Sequence, residues 1–337
     1  MEIYAVQDLS QLREWSGYVS NIANGYKKSR ILFTAFTAGV FDLLEEEREA
    51  GAMAAVLHWS ERGTAMLLDG LVAMELLTKH AGRYRNTPMA SACLARSGAA
   101  YQGDILRHNL SSWDDWVMLE DRVRTGTSAA PTEERFGQAL RNFILGMGNI
   151  AKMSAEEVLQ AVDLSGYGHV LDLAGGPATY GIAFLKAHPR MRATLFDRPS
   201  VVEIAREQVD AAGLGERFDY IAGDCLADDI GSGYDLVFIS NLIHSFSSEE
   251  NAGIVKKAYD ALVPGGTILI KDFIMENDRS GPAYGLVFAL HMLVHTRAGN
   301  TYTYDEIRSW TEAAGFGPGT ALSLTPQTRL WIARKPE

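Results

Sequence analysis

Val170-Leu-Asp-Leu-Ala-Gly-Gly-Pro-Ala-Thr-Tyr-Gly181 is the stretch whose reading decides the fold. Residues 170–173 read as a buried strand, and a helix is predicted from about residue 180 to 187. Gly175 and Gly176 let the chain turn tightly between them and admit a ligand close to the backbone. Asp172 falls at the carboxyl end of the strand, where open α/β sheets hold their ligands. Residues 193–197, Ala-Thr-Leu-Phe-Asp, read as a second strand ending in an acid. A glycine turn after one strand and an acid, Asp197, after the next describe a nucleoside site, with the acid accepting hydrogen bonds from ribose hydroxyls. The run is not G-x-G-x-x-G. Ala174 precedes the glycines, and Pro177 after them has no N–H to offer a pyrophosphate.

Working outward, strands are predicted at 193–196, 218–222, 236–240, 267–272 and 328–333, with helices at 199–212, 249–262 and 305–314. Strands alternating with helices predict an α/β, doubly wound sheet. A terminal hairpin fits residues 317–324 and 330–333 around the polar turn 325–328.

Polar residues collect at the ligand-bearing ends of these strands. Asp224 either accepts a hydrogen bond from an adenine amine, with Cys225 against the ring, or caps the short segment that follows. His244 follows a buried strand. A histidine there is either the general base for a phenol-like hydroxyl or a satisfied structural residue. Ser247 or Ser248 can cap the helix after it. Asp272 either orients a neighbouring imidazole or pairs with Lys271 or Arg279. The helical run 284–295 carries Leu286, Phe288, Met292 and two histidines, His291 and His295, four apart. There is no H-E-x-x-H and no further ligand at metal spacing, so the expectation is no metal but a mixed pocket wall for an aromatic substrate.

The first half is predicted to be helical. Leu12, Trp15 and Val19 recur at helical spacing, and residues 31–44 are apolar on nearly every side. The latter stretch reads as a subunit interface, since the first half shows no obvious large core of its own. Residues 51–94 have the order of a winged helix, with Ser60 as cap and Met66, Leu67, Leu71 and Met74 on the inner side of the helix 61–74. Its recognition-helix position has only Arg62 as a positive charge, against Glu61 and Asp69, so a dimerisation scaffold is preferred over DNA binding. Residues 102–119 are predicted as one helix with Trp113 and Trp116 on one face, as core or as pocket lining. A loop over 125–132 leads to a helix over 133–151 that carries Met147. A boundary near 155 gives a helical domain, 1–155, and a catalytic domain, 156–337.

With 337 residues, 47% hydrophobic and 22% charged, the chain has room for two globular domains. Its net charge of −11 argues against nucleic acid. Two cysteines, Cys93 and Cys225, suit a reducing cytoplasm, and neither a secretory signal nor a membrane span is expected.

The motifs together resemble the class I S-adenosylmethionine-dependent O-methyltransferases of the dimeric winged-helix type, which include plant caffeate, acetylserotonin and bacterial polyketide enzymes of secondary metabolism. The similarity runs from about Ser29 to Lys335. The family pattern V-D-V-G-G-G-T-G becomes Leu171-Asp-Leu-Ala-Gly-Gly-Pro-Ala178, and H-D-W-S-D-E becomes His244-Ser-Phe-Ser-Ser-Glu249. The resemblance implies a Rossmann-like sheet, S-adenosyl-L-methionine as cofactor and a homodimer through N-terminal helices. It implies His244 as catalytic base with Asp272 beside it, and Asp172, Gly175, Gly176, Asp197, Asp224, Cys225 and Ser240 around the cofactor. Ser240 stands where plant members have a lysine, and Thr301 where they have a second flanking glutamate. Trp113, Trp116, Met147, Phe288, His291, Met292 and His295 form the expected substrate pocket. C- or N-methylation, a nicotinamide-dependent oxidoreductase and a ligand-sensing transcription regulator are the rival readings.

Overall fold

The computed structural model describes residues 8–126 and 137–337. The predicted loop 125–132 and the first residues of the predicted helix 133–151 fall largely outside them. The chain divides into two compact units, Met1–Leu106 and Arg107–Glu337.

The first unit opens with α1 (Leu9–Thr37) and α2 (Val40–Leu43). A winged-helix arrangement follows: β1 (Arg48–Glu49), α3 (Ala50–Leu57), α4 (Glu61–Ala73), β2 (Leu77–His80), β3 (Arg83–Asn86) and α5 (Pro88–Leu94). The three strands pair antiparallel in the order β1-β3-β2. Ser60 caps α4 by accepting from Gly63 N, as expected. The expectation that 31–44 forms a subunit interface is corrected. Ala35, Phe36, Val40, Phe41 and Leu44 are buried within this unit against Met53, Leu68, Leu71 and Tyr84. The short helices and the three-stranded wing together close around the apolar segment, which the sequence reading of the first half did not credit. The inner face of α4 is also shifted: Leu68 and Leu71 are buried, whereas Met66 is 60% exposed.

Helix α6 (Gly103–Ser111) leads into the second unit. The single helix predicted over 102–119 breaks here. Ser111 and Ser112 hydroxyls both donate to His108 O and compete with the backbone ladder. Trp113 consequently sits in a turn, and Trp116 on a separate 3-10 turn, Asp115–Met118. Next come α7 (Leu119–Thr125) and α8 (Gly137–Ala161). The boundary expected near residue 155 falls inside α8, which lies wholly in the second unit and buries Ala155 and Val158 in its core.

The remaining elements are β4 (His169–Leu173), α9 (Thr179–Ala187), β5 (Arg192–Asp197), α10 (Pro199–Ala211), β6 (Phe218–Ala222), β7 (Tyr234–Ser240), α11 (Ser248–Ala261), β8 (Leu262–Asp272), α12 (Ala283–His295), α13 (Tyr304–Ala314), β9 (Thr320–Ser323) and β10 (Arg329–Arg334). Seven strands form one sheet in the order β6-β5-β4-β7-β8-β10-β9, parallel except for the terminal hairpin. Alternate residues of each central strand feed opposite cores. Leu171, Val237, Ile239, Ile268 and Ile270 pack with α11 and α13, while Val170, Leu236, Phe238 and Leu269 pack with α8, α9 and α10. Strand order reverses between β4 and β7, which opens a crevice at their carboxyl ends. Among the described residues no helix is long and apolar enough to cross a membrane.

Candidate active site

The crevice is flanked by the turn after β4 on one side and the segment after β7 on the other. Leu173 pairs with Ile239, so the glycine turn and Ser240 emerge side by side. Gly176 has φ +57, and a Cβ there would meet nothing within 4 Å, so open space lies over the turn. Ala174 and Ala178 also hold left-handed backbone, φ +54 and +62. Both stand where the family pattern has glycine, and each methyl costs about 1 kcal/mol in that conformation.

Asp172 is fully buried and accepts from Gly181 N at 3.2 Å. Burial pushes its carboxyl up to about 7. Asp197 ends β5. One oxygen accepts from Gly176 N at 2.9 Å, the other from Arg198 N at 2.7 Å, so the acid ties the glycine turn to the second strand. Burial raises its pKa, against these two N–H bonds. Asp224 is exposed, and of its two predicted features the local cap is present. Its Oδ1 accepts from Leu226 N at 2.8 Å, which is a local cap, while the carboxylate still faces solvent at the strand's ligand end. Cys225 is packed into the sheet core, where burial pushes the thiol up to about 12.

His244 lies on a 3-10 turn, Ile243–Ser245, just past β7. Its Nδ1 is 2.8 Å from Asp272 Oδ1, at the end of the neighbouring strand β8. Asp272 is 2% exposed, and the same oxygen also accepts from Phe273 N at 2.8 Å. An imidazole that donates from Nδ1 keeps Nε2 as an acceptor, which is the form a general base needs. The pairing of Asp272 with Lys271 or Arg279 does not occur: Arg279 binds Thr301 O and Glu306. Lys271 instead donates to Asn241 Oδ1 at 2.9 Å.

The turn under His244 is held from several sides. Asn251, fully buried on α11, donates to Ile243 O at 2.8 Å and to Phe246 O at 3.3 Å. Asn300 N donates to His244 O at 3.0 Å. Gly299 approaches so closely that a Cβ would stand 2.3 Å from His244 O. Ser247 caps α11 in a reciprocal box with Glu250. Thr301, at the site of the second flanking acid, is buried and donates to Gly285 O at 3.3 Å.

Aromatic rings run outward from the imidazole. Phe288 meets His244 edge to face at 4.9 Å, and Phe273 lies 4.5 Å from Phe288. His291 follows at 5.5 Å from Phe288, with Trp116 at 6.0 Å and His295 at 4.0 Å from it. His295 donates from Nδ1 to His291 O at 2.9 Å and places Nε2 3.2 Å from Asp115. Trp116, Phe288, His291 and His295 are therefore brought together. Met292 is buried on α12, and Trp113 sits in the turn after α6. Met147 is half-buried on α8 beside Gly148, where a Cβ would come 3.1 Å from Pro177.

Lys271 was read from sequence only as a candidate partner of Asp272, and two supporting residues were not singled out at all: Asn251 and Lys257. The last donates to Cys225 O, Leu226 O and Asp228 O at 3.1, 2.8 and 2.9 Å and so fixes the loop after Asp224. Asn251 had a signal, an amide on the inward stripe of a helix; a lysine reaching three carbonyls across a loop leaves none.

Residues 116–317 match the model of an O-methyltransferase domain, and residues 20–96 that of an O-methyltransferase dimerisation domain. The chain is 30% identical over 308 residues to 3-hydroxy-5-methyl-1-naphthoate 3-O-methyltransferase of Streptomyces sahachiroi, covering 88% of each. It is 31% identical over 326 residues to acetylserotonin O-methyltransferase of Bos taurus, covering 90% of this chain and 94% of the relative. The crystal structure of human N-acetylserotonin methyltransferase in complex with SAM superposes with a TM-score of 0.88 at 27% identity, covering 99% of this chain and 100% of that one.

Proposed function

The chain belongs to the S-adenosylmethionine-dependent O-methyltransferase family, and on that premise we propose that it methylates a hydroxyl of an aromatic small molecule with His244 as general base. The observation that carries this reading is the His244–Asp272 pair, 2.8 Å apart at the switch point of the sheet. The residues around the crevice fit the cofactor. The space over Gly176 is open, Asp197 braces the turn beside it, and the Asp172 carboxyl is buried next to the start of α9. When bound, S-adenosylmethionine supplies a methyl group already activated by the positive sulfur.

The protein's own tasks are alignment, exclusion of water and removal of one proton. Asp197 holds the ribose hydroxyls, and Asp224 the adenine edge. Asp272 fixes the imidazole so that Nε2 takes the proton of the acceptor hydroxyl, and it stabilises the imidazolium that results. Phe288, His291 and Trp116 offer ring faces to a flat acceptor. The relatives named for a hydroxynaphthoate and for acetylserotonin indicate the first acceptors to try.

The same proposal makes the enzyme a homodimer. Leu12, Trp15, Val19, Ile22 and Tyr26 recur at alternating steps of three and four along α1 and are all exposed, which is the stripe a second helix would cover. The thiols of Cys93 and Cys225 are unpaired, as in a reducing cytoplasm, the compartment we assign.

Calorimetric titration with S-adenosylhomocysteine, with a nicotinamide dinucleotide as control, tests the cofactor. Micromolar binding of the first alone supports the proposal. Binding of the dinucleotide alone would return the oxidoreductase reading. Turnover by His244→Ala close to that of wild type would remove the base role and favour transfer to carbon or nitrogen.

A further inference from the structure

We propose that Lys271 is the counter-ion for the α-carboxylate of the cofactor's amino-acid end, an inference that rests on the S-adenosylmethionine reading above. Lys271 lies at the carboxyl end of β8, in register with Ser240 on β7. Two residues beyond Leu269, it shares that residue's face, the α9 side of the sheet, and there its Nζ lies 5.8 Å from the ring centre of Tyr180. Tyr180 is the second residue of the helix that follows the glycine turn. The ammonium is thereby placed between the end of β7 and the start of α9, on the crevice where the strand order reverses.

Its surroundings do not satisfy it. Lys271 is 2% exposed. Its ammonium makes one hydrogen bond, to the neutral amide oxygen of Asn241, and has no ion-pair partner among the described residues. An ammonium has three protons to donate, so two N–H groups remain for a ligand. The nearest acid on the same sheet face along the ladder, Asp172, spends one oxygen on Gly181 N and is itself buried. A buried charge without a partner is strongly unfavourable and persists where a ligand completes it.

S-adenosylmethionine and S-adenosylhomocysteine each carry one anionic group, the α-carboxylate. The adenosine portion is accounted for by Asp197 and Asp224 on the other side of the crevice, which directs the amino-acid end toward β7 and β8. A second lysine, Lys257, cannot serve, since three carbonyls already take its protons.

The test compares two ligands by calorimetry: S-adenosylhomocysteine and its decarboxylated analogue. Wild-type protein should bind the first more tightly by about 10- to 100-fold, the range of a charge-assisted hydrogen bond. Lys271→Met should lose that preference while its affinity for the decarboxylated analogue stays within about threefold of wild type. Lys271→Arg should keep most of the preference. Equal binding of the two ligands by wild type overturns the proposal without any variant, so a Met variant that fails to fold does not protect it. A Met variant that weakens both ligands alike reduces Lys271 to a structural residue. No binding of either ligand by wild type removes the cofactor reading itself, and this proposal with it.

Discussion

The two units of the chain both hide a strongly apolar stretch, yet they use burial for opposite ends. In the first unit the segment 31–44 is spent on stability: Phe41 and Leu44 vanish into a small helical core, and the exposed apolar stripe lies earlier, on α1. In the second unit the apolar strands are a platform. Residues 170–173 and 236–239 are equally buried, but each strand delivers a polar residue where the sheet ends. Hydrophobicity announces burial in both cases. What covers the segment, and what it presents at its end, follows from topology.

Substitutions can sharpen or break this contrast. His244→Ala should cost the second unit its chemistry. Methylation of an aryl hydroxyl by the folded protein should fall by about 10²- to 10⁴-fold, with S-adenosylhomocysteine binding nearly unchanged. Leu68→Ala should do the reverse in the first unit, lowering unfolding free energy by about 2–5 kcal/mol in a denaturant titration, while the purified folded fraction keeps its turnover. Loss of turnover without loss of stability in that variant would dissolve the division of labour.

A third effect is expected in pH. The Asp172 carboxyl, held near 7 by burial, is protonated in the native protein at pH values where the unfolded chain has already lost the proton. Its contribution to stability therefore falls as pH rises from about 4 to about 7. A ligand ammonium favours the ionised form. Affinity for S-adenosylhomocysteine should climb as pH rises toward 7, by up to about tenfold per unit, and level off above it. Asp172→Asn should flatten that profile. The smallest effect is at the turn itself. Ala174→Gly relieves a left-handed alanine and should raise stability by about 0.5–1 kcal/mol, visible as a small upward shift in melting temperature.

Much of this was readable in the chain. The strand at 218–222 and the turn at residues 80–82 fall where alternation and glycine placed them, because both signals are local. Ser60 and Ser247 cap as read, again from a few neighbouring residues. The His244–Asp272 contact spans 28 residues, so no local signal carries it; it was reached by placing both residues at strand ends and through the family resemblance. The cover over 31–44 was not legible, since side chains scattered from Met53 to Leu94 supply it and none is distinctive alone. Met66 failed for a related reason: the helical stripe had two neighbouring phases, and only packing chose Leu68. Lys271 was read as a partner for its neighbour Asp272, but adjacent strand residues face opposite sides of the sheet, and its bond to Asn241 follows only from the register of β7 and β8.

The glycine at 299 constrains any effort to redirect the enzyme. Its missing side chain leaves room for the carbonyl of His244, and it stands four residues beyond the end of α12, the helix that bears the aromatic wall. Acceptor scope and base placement are thus wired through one short connection. A library that diversifies Phe288 and His291 can explore new acceptors freely. One that extends its randomised window to 299 will fill with inactive clones, and grafting the wall from a relative must carry this connection along intact.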